Sequence, residues 1–146
     1  CNSASKQEHK HLEAEVVCPT YVLPRSTIDS LIYASIEFND TISYSKISTY
    51  FISNEIGGQF FITAFQMANK NKYSEAYYNM YEILVDKISL VESIQNLDDK
   101  TRYFAMYCLL RAKELGYKGC QFDIEEIFLN KKIPSSDFYL RKYGDV

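Results

Sequence analysis

Few side chains in this chain have the type and spacing for acid–base or nucleophilic chemistry. Paired carboxylates occur at Asp98/Asp99 and at Glu125/Glu126. Sequence neighbours on a helix project about 100° apart, so neither pair faces across a substrate as acid and base; capping and a solvated face account for them. Serines are plentiful, but the two histidines, His9 and His11, lie together in a polar amino-terminal stretch and offer no fixed base. Cys108 falls on an apolar helix face with no His beside it, the setting of an inert thiol. Gly57-Gly58 reads as a helix boundary, not a phosphate-cradling loop. No CxxC pair and no zinc-type spacing occurs. The chain reads as a non-enzyme that needs no metal and no cofactor.

Cys1 carries the most specific chemistry. It is followed by Asn2-Ser3-Ala4-Ser5-Lys6-Gln7, and a leading Cys before a small, polar run is what remains when a bacterial lipoprotein precursor is processed. Its thiol and amine would carry acyl chains, and more than one chain makes a stable anchor. The expected location is the cell envelope, at the periplasmic face and, with Asn2 rather than Asp after the anchor, of the outer membrane. In such an oxidising compartment Cys18 could bridge to Cys120 or to Cys108. The alternative is that Cys18, Cys108 and Cys120 pack as small apolar residues.

Composition narrows the partners. The chain has 146 residues, 47% of them hydrophobic and 24% charged, with a net charge of -3. That balance belongs to an ordinary globular domain and lacks the basic footprint of a nucleic-acid binder. No apolar run approaches the roughly 20 residues that span a bilayer, so membrane contact is expected through the lipid alone. Thirteen Tyr, nine Phe and no Trp suit half-buried positions and protein interfaces. Five Gly and three Pro are too few for many tight turns, which favours helix over a β-sandwich or barrel.

The elements follow from periodicity. Residues 1–25 read as a polar tether and approach segment, with Pro19 and Pro24 breaking any helix. Residues 26–146 read as a domain of successive helices. Ser26-Thr27-Ile28-Asp29 resembles a capping box. The stretch 41–53 mixes helical and alternating spacing and is taken as helix. Phe61, Ala64, Phe65 and Ala68 share a face over 59–69. Ser74 is placed as the cap of a helix carrying Ala76, Met80, Ile83, Leu84 and Lys87. Asp98 or Asp99 caps a helix whose apolar face is Ala105, Cys108, Leu109, Ala112 and Leu115, ending at Gly116. Another spans 120–130, and Ser136 can cap a last turn.

A shift of 44 residues superposes the two best helix pairs. Phe60 falls on Phe104, Ala64 on Cys108, Phe65 on Leu109, Ala68 on Ala112, Ala76 on Cys120, Met80 on Ile124, Ile83 on Ile127 and Val85 on Leu129. Such a period signals stacked helical hairpins, each burying its bare face against the next. The segments Met67-Ala68-Asn69-Lys70, Glu75-Ala76-Tyr77-Tyr78-Asn79-Met80-Tyr81 and Leu109-Leu110-Arg111-Ala112-Lys113-Glu114-Leu115-Gly116 resemble Sel1-like repeats, relatives of the tetratricopeptide class. The likeness covers about residues 57–130; Lys72 stands where the repeat has Gly. It implies an all-α fold, a short solenoid of helical hairpins. Within that class the chain is similar to lipoproteins that act as immunity proteins, binding and occluding an antibacterial effector from rival cells. An adaptor that scaffolds an envelope complex is the alternative.

A repeat of this kind binds through its surface. Gln59, Thr63 and Met67 share one helix phase, and the 44-residue offset maps them onto Tyr103, Tyr107 and Arg111. Tyr and Arg are enriched at interface hot spots. Tyr73, Tyr77 and Tyr81 form a second candidate stripe. The expected partner is a protein, not a nucleic acid. Each Tyr has the alternative of packing between repeats.

Overall fold

Every described element is a helix, because the apolar positions recur at helical spacing. A computed structural model describes residues 22–54, 56–85, 94–129 and 131–145. It places α1 at Arg25–Phe38, α2 at Thr41–Ser53, α3 at Gly57–Asn71, α4 at Ser74–Leu84 and α5 at Asp99–Glu114. A 3-10 turn, Lys118–Cys120, then runs into α6, Gln121–Phe128, and α7 is Ser136–Gly144. Residues 94–96 are also helical, and no strand occurs among the described residues. The all-α fold is what the sequence leads one to expect. Cys1, His9, His11, Cys18, Lys87 and nearly all of the 1–25 segment lie outside the described residues.

The ambiguous 41–53 stretch is helix α2. Its buried residues, Ser43, Tyr44, Ile47, Ser48 and Phe51, mark one stripe at helical spacing. Asp40 starts it, accepting from the amides of Ile42 (3.0 Å) and Ser43 (3.2 Å) and from the Ser43 hydroxyl (2.7 Å). Those bonds, led by the Ser43 hydroxyl, hold the Asp40 carboxyl below its ordinary range. Asp98, not Asp99, caps α5 by accepting from the Thr101 amide at 3.0 Å.

Other starts differ from the sequence reading. No side chain caps α1, which begins after Pro24, and Asp29 pairs with Arg25 (3.1 Å) instead of closing a capping box. Pro24 occupies the cap position, and there its carbonyl alone serves, accepting from the amides of Thr27 (3.0 Å) and Ile28 (3.1 Å). Ser74 lies inside the first turn of α4, and Tyr73 precedes it without a side-chain cap. Ser136 likewise lies one place inside α7, where its hydroxyl turns to Glu114.

Three tight turns join α1 to α2, α3 to α4, and α5 to the 3-10 turn. Each contains one residue in the left-handed region: Asn39 (φ 53°), Lys72 (φ 55°) and Gly116 (φ 88°). Lys72 and Gly116 are related by the 44-residue offset, as are Tyr73 and Tyr117, which follow them. Lys72 therefore makes the turn in spite of its side chain, at a cost that glycine avoids.

Sequence neighbours pack against one another. α1 lies on α2 and α3, α2 on α3, α3 on α4, and α4 on α5. α7 then returns past α6 to make the most extensive helix contact among the described residues, along α5. Held between α4 and α7, α5 is buried over much of its circumference, at Ala105, Met106, Cys108, Leu109, Leu110 and Ala112. Ala64, Ala68 and Ala76 are fully buried where α3 meets α4, and so are Cys108 and Ala112 in α5.

The aromatics fill the rest. Phe60 stacks on Phe51 (5.5 Å between ring centres) and tilts against Tyr44 (5.3 Å). Tyr44 is fully buried, accepts a hydrogen bond from the Asn79 amide group (3.1 Å) and meets Tyr73 edge-on. Burial of its hydroxyl raises the Tyr44 pKa strongly.

Superposed by 44, five of the eight pairs share a level of burial; Phe60 is buried where Phe104 is half-buried, Phe65 is exposed where Leu109 is buried, and Val85 is buried where Leu129 is exposed. The difference is one of packing: α5 carries α7 on its flank, whereas among the described residues no later helix packs on the outer face of α6.

The two offset-related turns make a test of local energetics. Replacing Lys72 with Gly should stabilise the fold by about 0.5–1 kcal/mol, since relief of the left-handed conformation exceeds the added unfolded-state freedom. Gly116→Ala should cost about 1 kcal/mol from backbone strain alone, because no atom lies within 4 Å of the added methyl. Urea unfolding followed by circular dichroism reads both.

Candidate functional site

The residues singled out from the sequence divide into two groups, and the dividing factor is the helix that lies over each stripe. Asn71 at the end of α3 donates to the carbonyls of Ile36 (3.1 Å) and Ser35 (3.4 Å), and Lys70 pairs with Glu37 (2.6 Å). These contacts hold α1 over the Gln59/Thr63/Met67 face. Thr63 and Met67 are consequently buried, Met67 completely, with its sulfur beside the Asn71 amide group. Gln59 stays exposed at the rim of a 420 Å³ groove with Leu23, Ile28, Ile32, Tyr50 and Ile56.

The equivalent face of α5 carries α7. Position 114, offset by 44 from Lys70, is Glu114, which accepts from both the Ser136 amide and the Ser136 hydroxyl, each at 2.7 Å. Glu114 also pairs with Arg111 (3.2 Å). Tyr139 of α7 faces Tyr103 (6.3 Å between centres), and Tyr143 packs on Phe104 (5.3 Å). The stripe is thus a flank of the α5–α7 seam, yet Tyr103, Tyr107 and Arg111 all remain half-buried, with surface to offer.

Around them lies a compact set of rings and cations. Tyr107 stacks on Phe104 (6.0 Å) and meets Tyr77 of α4 edge-on (6.1 Å). Burial, then the neighbouring Tyr77, pushes the Tyr107 hydroxyl up to about 12, so it stays a neutral donor at any physiological pH. Arg102 and Lys142 each sit over the Tyr103 ring, at 5.7 and 5.6 Å. Arg102 also pairs with Asp99. Cation–ring contacts of this kind hold a charge at a surface while keeping its stem against an apolar face.

The second stripe is mostly interior. Tyr77 and Tyr81 are buried, and Tyr73 is half-buried with its hydroxyl donating to Glu75 (2.7 Å). Neither Tyr77 nor Tyr81 has surface for a partner, because α5 and α6 close over α4. Among the described residues no group hydrogen-bonds the Tyr81 hydroxyl. Nearby, Tyr78 donates to the buried Asp123 at 2.6 Å, tying α4 to α6. Asp123, Tyr117 and Tyr139 are not among the residues the sequence singles out, though the place of Asp123 in the apolar phase of α6 beside Ile124 and Ile127 is a local signal for a buried acid.

The groups with chemical potential are engaged structurally. Asp98 caps, Asp99 pairs with Arg102, and Glu125 accepts from Gln121 at 2.6 Å. Cys108 and Cys120 are buried and carry no disulfide. Burial raises the Cys108 pKa far above the range of a reactive thiolate. The Cys120 thiol donates to the Tyr117 carbonyl at 2.9 Å. The bridging alternative through Cys18 lies outside the described residues. Among the described residues no three His, Cys, Asp or Glu converge as a metal site, and no helix is long and apolar enough to cross a membrane.

No known protein family, curated protein or solved structure matches this chain.

Two variants probe the seams that frame the site. Burial works to raise the Glu114 pKa, but the Ser136 and Arg111 hydrogen bonds outweigh it and hold the carboxyl below 4.5. A depressed carboxyl stabilises fully above its unfolded value and less as the pH falls through its folded one, so α7 docking should weaken below about pH 4.5. Glu114→Gln should cost about 1–2 kcal/mol at pH 7 and flatten that acid dependence, read by urea unfolding across pH. Tyr81→Phe should be neutral or stabilise by about 1 kcal/mol, since it removes a buried hydroxyl without a partner; thermal unfolding measures it.

Proposed function

We propose that this protein is a lipid-anchored envelope immunity protein of the Sel1-like repeat kind, which binds an antibacterial effector and blocks it by occlusion. The observation that carries the reading is the Tyr103/Tyr107/Arg111 flank of α5: half-exposed aromatics and a guanidinium, set on packed helices and bordered by cations held over rings. Tyr and Arg on a rigid support are the anchors that dominate protein interfaces, because they contribute much contact area for little ordering cost. The hairpins with matched left-handed turns support a short helical-repeat solenoid as the scaffold. Occlusion needs only a surface that covers the effector's own site, and no reacting group of the inhibitor takes part.

On this reading Cys1 bears the lipid, and the amino-terminal segment lets the folded body stand off the periplasmic face of the outer membrane. Gln59 and Tyr73 keep surface elsewhere on the molecule, while Thr63, Met67, Tyr77 and Tyr81 are buried and are not contact residues; of these, Tyr77 steadies the flank by meeting Tyr107 edge-on.

The test is protection and capture. Cells that produce the cognate effector in the periplasm should survive when this chain is co-expressed, and the two proteins should co-purify. Tyr107→Ala should weaken binding by about 1–4 kcal/mol, the range for a central interface aromatic. Arg111→Gln should weaken it by less, with a dependence on salt. Circular dichroism must be unchanged for either variant to count. Co-purification with the cell's own envelope proteins, without protection, would instead make the chain an adaptor.

A further inference from the structure

We infer that the outer face of α6 is a two-fold contact with a second copy of this chain. Phe122 and Leu129 are 70% and 68% exposed there, and Ile133 is 38% exposed. Leu129 and Ile133, with Ile124 and Phe128, border a 250 Å³ depression whose charged rim is Glu125 and Lys131, and Phe122, next in the chain to the lining residue Gln121, stands outside it. An apolar surface of this kind on a terminal hairpin is unusual, since the end of a helical stack is ordinarily polar.

The preceding hairpin shows what such positions do when covered. Phe122 and Leu129 are offset by 44 from Tyr78 and Val85, both of which are buried. Tyr78 lies under the next hairpin, against the Tyr117 ring (5.1 Å between centres) and bonded to Asp123. α6 presents the same pair of positions exposed, with none of the described residues covering them. The helix that follows in the chain does not serve: α7 leaves this face open and packs along α5.

Leu129 ends α6 in the left-handed region, at φ 38° and ψ 59°, where its amide closes the last turn on the Glu125 carbonyl (3.0 Å) and its side chain is left exposed.

The rim selects the occupant. Glu125 and Lys131 form no ion pair within the described residues, and they flank the same depression. In a two-fold contact residue i meets residue j and j meets i, so Glu125 of each copy would pair with Lys131 of the other. Each copy also supplies both the protruding Phe122 and Leu129 and a depression to receive them. A self-complementary surface fits a second copy better than a partner of one charge.

The experiment uses the full chain in sedimentation equilibrium over a wide concentration range. A monomer–dimer equilibrium is expected. Glu125→Lys and Lys131→Glu should each weaken it about tenfold, because each turns two attractions into two repulsions. The double variant carrying both should return to within a few-fold of the original. Phe122→Ser with Leu129→Ser should abolish the dimer while circular dichroism and the unfolding midpoint remain those of a folded chain. A chain that stays monomeric throughout, a dimer indifferent to these positions, or a double charge variant that fails to recover would each overturn the two-fold contact. So would a monomer whose Phe122 and Leu129 variants lose only a different protein partner.

Discussion

The close approach of neighbouring helices at small side chains is the constraint on which the rest of the structure depends. Ala64, Ala68 and Ala76 leave α3 and α4 no intervening bulk, and Cys108, Ala112 and Cys120 hold the offset-related places in the next pair. Interiors are packed as densely as organic crystals, so one larger residue at such a seam would displace a whole helix. Helices this close must be joined by short turns. Short turns between antiparallel helices in turn call for a left-handed residue, and the chain supplies Asn39, Lys72 and Gly116. The large aromatics are left to fill the space away from the seam, as Tyr44, Phe51 and Phe60 do.

The helical elements were legible in the sequence because each buried stripe is local. The spacing of Tyr44, Ile47 and Phe51, the Asp40 and Asp98 caps and the turn at Gly116 all follow from residues a few places apart. The candidate stripes were legible only in part. Helical phase puts Tyr103, Tyr107 and Arg111 along one flank of α5, where all three keep some surface, but the same reasoning for Tyr73, Tyr77 and Tyr81 picks out two buried residues. Phase cannot say which face a distant helix will cover. That α1 lies over Thr63 and Met67 depends on Asn71 and Lys70 reaching residues 35 to 37, more than 30 places earlier. That α7 returns to α5 depends on the bonds from Ser136 to Glu114, 22 places apart.

The same packing shapes the candidate site. A bare helix face bearing three long side chains would lose much rotational freedom on binding. Tyr103, Tyr107 and Arg111 are instead steadied before any partner arrives, by Tyr139, by Tyr77 with Phe104, and by Glu114. Contacts made in advance reduce the ordering cost at the moment of association. The arrangement also divides labour along each helix turn: buried residues such as Met67 and Tyr77 fix the scaffold, and the half-exposed ones keep surface free.

The order of the packing contacts has a consequence for how the chain reaches its native state. α1 meets α2 and α3 meets α4 across short turns, and α4 meets α5 across residues 85–98, so much of the core forms between segments that are close in sequence. Chains organised in this way fold quickly and can begin at any hairpin. The seams of α1 on α3 and of α7 on α5 are the exceptions, since each forms across an intervening helix, and the chain must pass through α6 before Ser136 can reach Glu114. During synthesis α5 therefore emerges well before the helix that covers its flank. Tyr103 and Phe104 remain uncovered for that interval, which makes α5 the segment with most need of protection from premature association while the carboxy-terminal residues are still being made.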